Sequence, residues 1–491
     1  MNLIKKYIPY FLFIFAILAL LYFSFENLEE SPATWMDEGI IIQTARNFSD
    51  SGISGIRIDP DTVVSAGYVT TSYPVTLPIA NIFSIFGISL FNARIVMAVF
   101  ILLLVFSSLF WLRKNISSKI WILTLSSLLI VTFPPLYGHG KNVLGEIPGL
   151  FFLFTSMISL EYAYNSYFDS LIFLRKKIIL TAITCILLGL TIVTKPTLIV
   201  LIPAIFIVLL FYIIKYRSSI NIYRKDSIII FISGIIFFLL PIIFWISFQF
   251  HGETIREILS IYANPHSTDV IESILINLKR FITEGQPIYT FLMTMVWTFI
   301  LFIRIKRKEI IKISELILYL FSILIFLAYL RTVGYYRYFF LGEFITLVML
   351  VPNLLYLLNR NIYKIICTIT IIILIGIQSY QLIYTGWTAQ YRNSNQSYLL
   401  REFLGNIPSD KEIFIYQAPE LVTFIKHENY SQFMDITSTI RVGSTSIDRL
   451  MKKLPDIIAT NSQYTDIIKR LGRNIYTEYN LISKYQFFYK K

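Results

Sequence analysis

The residues with the clearest chemical potential lie in "ATWMDEGIIIQTARNFSD", just after the first apolar run. Asp37 and Glu38 precede Ile40, Ile41, Ile42, Ala45 and Phe48, the spacing of an amphipathic helix. A carboxylate in the first turn of that helix is favoured by the helix dipole. Neighbouring helical positions point about 100° apart, so Asp37 and Glu38 should not share one role. An acidic pair beside Trp35 at the mouth of a helical bundle is a candidate base for activating a hydroxyl. The alternative is that both residues merely start a surface helix.

Other polar residues fall near the ends of apolar runs. His139, Lys141 and Glu146 share one turn, "GHGKNVLGEIPG", and a carboxylate near hydrocarbon usually has a partner or a task. Lys195 stands between two apolar runs beside Pro196, and Arg331, Arg337 and Tyr338 cluster in "LRTVGYYRYFF". His139, His251 and His266 are the metal-ligand candidates, with Glu253 beside them in sequence. No His/Asp/Glu spacing marks a metal site, so a divalent cofactor stays open and none is assigned. The two cysteines, Cys185 and Cys367, sit inside apolar runs and offer no disulfide framework.

These residues must be positioned by membrane-embedded elements. The 491 residues are 56% apolar and 15% charged, with a mean hydropathy of +0.66, which no ordinary soluble chain approaches. Apolar runs of about 18 residues or more, enough to cross roughly 30 Å of hydrocarbon, recur along the chain. Spans are expected near 7–25, 91–112, 119–137, 144–164, 178–194, 197–214, 227–248, 288–303, 314–330, 338–358 and 364–384. The first lacks a small-x-small cleavage site and reads as a retained span rather than a signal peptide. The stretch 74–88, broken by Pro74 and Pro78, reads as a helix at the outer surface.

The net charge of +13 is not gathered on one soluble face as nucleic-acid binding would require. It falls in turns containing Arg113 and Lys119, Arg175 to Lys177, Arg217 and Arg224, Arg304 to Lys312, and Arg360 and Lys364. The positive-inside rule then places the N-terminus and these turns in the cytoplasm. Outside lie 26–90, 249–287 and 385–491. The last reads as a small α/β domain, because Ile413–Tyr416 and Asp456–Ala459 look like short buried strands and Pro419 and Glu420 sit where a helix would start. The expected fold is therefore an all-α polytopic bundle, 1–384, carrying outer helices and a C-terminal α/β domain, 385–491. No Walker or dinucleotide fingerprint is present.

An acidic pair soon after the first span, a proline-bearing helix in "SYPVTLPIANIFSIFG" and an arginine opening the next span in "FNARIVMAVF" resemble the GT-C superfamily. Within it, the protein mannosyltransferases and the lipid A aminoarabinose transferases are most similar. "GHGKNVLGEIPGLFFL", "LTIVTKPTLIVLIP" and "YYRYFFLGE" extend the resemblance across the membrane part, whereas "SYP" departs from the double proline common in relatives.

The resemblance implies a sugar donor on a polyprenyl or dolichyl phosphate, a hydroxyl or phosphate acceptor on a glycan, lipid or protein at the outer membrane face, and inversion at the anomeric carbon. It implies Asp37 as the base, with Glu38 and Glu146 positioning the acceptor or the loop. Arg337, Lys195, Arg331, Lys141 and Tyr338 are its candidate contacts to the donor phosphate, because the leaving group gains negative charge. A multi-pass protein of a bacterial or archaeal cell membrane with an extracytoplasmic site follows. A transporter or lipid flippase would instead show buried charges along a midplane path. A non-catalytic membrane scaffold is the third reading.

Overall fold

The computed structural model describes residues 2–67, 69–168, 173–215, 225–250, 269–356, 361–435, 441–444, 446–447, 453–464, 467 and 475–490. The candidate residues His251, Glu253 and His266 lie outside the described residues.

Helices dominate from the start. Helix α1 (Asn2–Phe25) is followed by α2 (Met36–Ser51), which holds Asp37 and Glu38 in its first turn. Gly52 ends α2 in the left-handed region at φ 73°, its N–H closing onto the Phe48 carbonyl, a backbone shape glycine adopts without Cβ strain. A hairpin of β1 (Gly55–Asp59) and β2 (Thr62–Ser65) leads to α3 (Tyr73–Phe86), the expected proline-bearing helix. Helix α4 (Leu90–Asn115) starts at Ser89, whose hydroxyl accepts the Asn92 N–H at 3.1 Å, and ends with Arg113 and Lys114 against the negative end of its dipole.

The remaining membrane elements are α5 (Ile120–Val131), α6 (Pro134–Gly140), α7 (Glu146–Phe168), α8 (Leu174–Thr194), α9 (Leu201–Lys215) and α10 (Lys225–Gln249). After them come α11 (Val270–Thr283), α12 (Gly285–Lys306), α13 (Ile313–Leu330), α14 (Tyr336–Tyr356) and α15 (Asn361–Tyr380). Ten helices among the described residues are long and apolar enough to cross a bilayer, or eleven if α5 and α6 count as one span. The chain is a multi-pass membrane protein. The expected straight span 119–137 is instead bent by 54° between α5 and α6, where Pro134 and Pro135 supply no N–H to continue the helical ladder. Helix α14 is the most enclosed of the spans and α10 the least, so α14 lies at the centre of the bundle and α10 at its rim.

After α15 a π turn (Gln381–Thr385) leads to α16 (Trp387–Gln390) and α17 (Gln396–Gly405). A six-stranded sheet follows, ordered β5-β4-β3-β6-β8-β7. Its centre is parallel: β3 (Ile413–Tyr416) pairs with β4 (Tyr430–Asp435) and β6 (Ile457–Asn461), while β5 (Arg441–Val442), β7 (Tyr476–Ile482) and β8 (Tyr485–Lys490) join antiparallel. All four residues of β3 are buried, as expected of a strand covered on both faces. The expected helix at Pro419 is a 3-10 turn, Pro419–Phe424.

One contiguous apolar core runs from the membrane helices into this sheet, joining residues such as Leu104, Phe344 and Ile40 to Ile413, Ala459 and Phe487. The C-terminal lobe grips α2 directly. Arg46 donates to the Ile425 carbonyl at 2.8 Å and the Val422 carbonyl at 3.3 Å, and Gln43 donates to the Tyr430 hydroxyl at 3.3 Å. Gly39 lets the helix approach so closely that any side chain there would collide with the Glu420 backbone. Glu420 is held in turn by the Tyr485 hydroxyl, which donates to it at 2.7 Å.

Candidate active site

The first turn of α2 presents its two carboxylates to two different arginines. Glu38 points inward. Arg94 Nε donates to its Oε1 at 2.8 Å and Arg94 Nη2 to its Oε2 at 2.6 Å, a two-pronged pair with both side chains fully buried. The Val143 N–H donates to Glu38 Oε1 at 3.1 Å, while Arg94 Nη1 donates to the Leu28 and Pro32 carbonyls and Nη2 to Asn142. This network ties α2, α4, the first outer loop and the 141–145 turn into one unit. Arg94 carries it, a role that the sequence does not reveal although this arginine opens the span in "FNARIVMAVF".

Asp37 points the other way and forms an ion pair with Arg337, from the first turn of α14. About a third of the Asp37 side chain is exposed, against 10% of Arg337. The guanidinium stands inside an aromatic cage: its central carbon is 4.9 Å from the Trp35 ring centre, 5.0 Å from Tyr338 and 5.5 Å from Tyr335. Arg337 Nη2 also donates to the Tyr338 hydroxyl at 3.2 Å. Stacking on aromatic faces fixes a planar guanidinium while leaving its edge able to meet an anion. The first-turn position of Asp37 and the N-terminal position of Arg337 thus bring residues 300 apart in sequence to one point.

The other expected cations are placed differently. Lys195 pairs with Glu146 at 3.1 Å, both 1% exposed, and donates to the Thr70 hydroxyl at 3.1 Å. Gly145 permits this, because a side chain there would press on the Thr194 carbonyl at 2.5 Å and block the approach of α7 to the end of α8. Lys195 and Glu146, which the resemblance assigned to separate tasks, therefore form one buried pair. Lys141 is also buried, donating to the Glu26 carbonyl at 2.6 Å. Burial pushes its ammonium down to about 7; Glu26 opposes that shift, and Arg94 and Arg392 add to it. Arg331 is exposed at the end of α13, with no ion pair to Asp37.

His139 is enclosed by aromatic rings, its centre 5.3 Å from Phe340, 5.6 Å from Tyr336 and 6.3 Å from Trp387. Among the described residues no three His, Cys, Asp or Glu side chains gather as a metal-binding group would require. Sequence reading missed two further features. Trp387 lies 6.3 Å from Trp35, edge to face, closing the aromatic wall behind Arg337. Glu343 is fully buried two turns into α14, a mid-span carboxylate visible in "YYRYFFLGE".

The helical bundle with its C-terminal α/β lobe shares its fold with membrane proteins of known structure. The structure of ArnT from Cupriavidus metallidurans bound to undecaprenyl phosphate superposes with a TM-score of 0.63, covering 97% of each chain at 13% identity. Its apo state gives 0.61 at 12% identity over the same shares. The oligosaccharyltransferase AglB from Archaeoglobus fulgidus, in complex with an inhibitory peptide and a dolichol-phosphate, gives 0.56 at 12% identity over 94% of this chain and 70% of that one. No family model and no curated protein matches the sequence.

Proposed function

We propose that the chain is an inverting glycosyltransferase that moves a sugar from a polyprenyl- or dolichyl-phosphate donor to an acceptor hydroxyl, and that Asp37 is its base. The observation that carries this reading is the Asp37–Arg337 pair: an accessible carboxylate and a caged guanidinium at one point, inside a fold shared with proteins solved with undecaprenyl phosphate and dolichol-phosphate. In the reaction, the acceptor hydroxyl passes its proton to Asp37 and its oxygen forms a bond to the anomeric carbon. The bond from that carbon to the phosphate oxygen breaks, and the electron pair leaves with the lipid phosphate. Arg337 offsets the charge that grows on the phosphate. One free carboxylate suffices because phosphate leaves readily, and Glu38 already accepts three hydrogen bonds, two from Arg94 and one from the Val143 N–H, in a fully buried ion pair.

The site faces the extracytoplasmic side in this reading. Helix α14 begins at Arg337's turn and ends at Tyr356, whose ring lies 5.9 Å from the Arg307 guanidinium. The basic turn 304–312 is thus separated from Asp37 by the length of a 21-residue helix, about 30 Å. We assign 1–384 as the catalytic membrane domain and 385–491 as the lobe that holds α2. Membrane location, a lipid-linked donor and a glycan, lipid or protein acceptor follow from the same reading. Purified protein incubated with a panel of undecaprenyl-phosphate sugars and a membrane extract should release undecaprenyl phosphate as sugar leaves it. Lipid moved across a bilayer with the sugar still attached would replace the transferase with a flippase.

A further inference from the structure

A cavity of about 720 Å³ is walled by the α5–α6 bend, α12, α14, α15 and the α16 turn, and its lining includes Tyr336, the neighbour of Arg337 in the first turn of α14. That volume falls in the range of about 300–1,000 Å³ typical of small-molecule sites. Trp387 forms part of its wall and connects it to the Arg337 cage through Trp35. Its other feature is a set of polar atoms without hydrogen-bond partners among the described residues.

Glu343 is fully buried and lines the cavity, and neither of its carboxylate oxygens accepts a hydrogen bond from a described residue. Thr290 is beside it, but that hydroxyl donates to the Gln286 carbonyl at 3.1 Å. The Tyr289 and Tyr336 hydroxyls and His139 Nδ1 line the same cavity and are likewise buried without partners. Four buried polar groups facing one cavity in a membrane bundle each need a hydrogen-bond partner, and a polar ligand in the cavity would supply it. The set is chemically specific. Glu343 can only accept if ionised, the tyrosines can donate or accept, His139 adds a further ring nitrogen, and Phe133 and Trp387 offer apolar faces. A hydroxyl-rich ring with one apolar face matches that combination.

We infer that this cavity binds the glycosyl group of the lipid-linked donor, with Glu343 and Tyr289 reading its hydroxyls and Trp387 forming the platform beneath it. The inference rests on the transferase reading and deepens it, because Arg337 would hold the phosphate at the cavity's mouth while Glu343 selects what the phosphate carries. Glu343 and Tyr289 are specificity residues here, remote from the transferred proton. A site built to hydrogen-bond hydroxyls discriminates strongly against ligands that lack them.

The test uses the full chain in nanodiscs, titrated with undecaprenyl phosphate and with a panel of undecaprenyl-phosphate hexoses and pentoses, followed by quenching of tryptophan fluorescence. Wild-type protein should bind at least one sugar-loaded lipid more tightly than the bare lipid. Glu343→Leu and Tyr289→Phe should bind that lipid about ten- to a hundredfold more weakly and leave bare undecaprenyl phosphate unchanged. Glu343→Leu should also raise the unfolding temperature, since it removes a buried carboxylate that no residue satisfies, whereas a carboxylate with a structural task would lower it. Equal affinity of wild type and variants for every sugar-loaded lipid, or a wild type that never prefers a sugar-loaded lipid, overturns the inference. Failure of the wild type to bind even bare undecaprenyl phosphate would instead overturn the transferase reading beneath it.

Discussion

Asp37 and Glu38 are adjacent in the chain, yet their surroundings could hardly differ more. Glu38 and Arg94 are both fully buried, and the carboxylate accepts two guanidinium bonds and the Val143 N–H. Asp37 is a third exposed and meets an arginine that is stacked among rings rather than tied to carbonyls. One helical turn thus separates a carboxylate that builds the fold from one available for chemistry. The inner pair fixes where α2 lies, and the outer pair remains free to exchange its partner for a substrate. Glu146 and Lys195 form a second inner pair of the first kind.

The contrast can be broken by stability. Glu38→Gln leaves Arg94 buried without its counter-charge, so it should lower stability by about 3–5 kcal/mol. Asp37→Asn at the half-open pair should cost no more than about 1 kcal/mol. Thermal unfolding in detergent measures both. Equal losses would show that the two pairs do the same work.

Donor affinity sharpens it. Arg337→Ala should weaken undecaprenyl phosphate binding by about ten- to a hundredfold, with Arg337→Lys recovering part of the loss, because lysine keeps the charge but not the planar fork. Lys195→Ala should act through folding instead, since it strands Glu146. If Lys195→Ala kept full stability and lost the lipid, Lys195 would belong with the outer pair.

The smallest effect concerns what holds α2 in place. Gly39→Ala places a methyl group against the Glu420 backbone and should cost about 1–3 kcal/mol. It should also lower the transfer rate more than donor affinity, because it shifts Asp37 while leaving Arg337 where it is. A variant with normal stability and rate would free the C-terminal lobe from any part in positioning the site.

Much of this was legible in the residues. Ten apolar runs announced their helices because hydrocarbon thickness sets a minimum length, and Ile413–Tyr416 announced a buried strand by its unbroken apolar character. The 54° bend was signalled by Pro134 and Pro135 but read as a continuous span. The β1–β2 hairpin was missed even though Asp59, Pro60 and Asp61 mark its turn. Partner choice was beyond reach. Nothing local says that Asp37 meets Arg337 while Glu38 meets Arg94, since both depend on how helices hundreds of residues apart pack. Lys195 reads in the sequence as a candidate contact to the donor phosphate, and its pairing with Glu146 comes from the packing of α7 on α8. Glu343 and Tyr289 were invisible as a pair because each lies on a different span.

Sugar transfer and donor affinity measured on one preparation of Asp37→Asn decide whether Asp37 is the base. The near-isosteric amide keeps the shape of the turn but cannot take a proton. Transfer at saturating donor should fall by about 10²–10⁴-fold while undecaprenyl phosphate still binds through Arg337. Wild-type transfer by Asp37→Asn would contradict the assignment and leave Arg337 a binding site without this base.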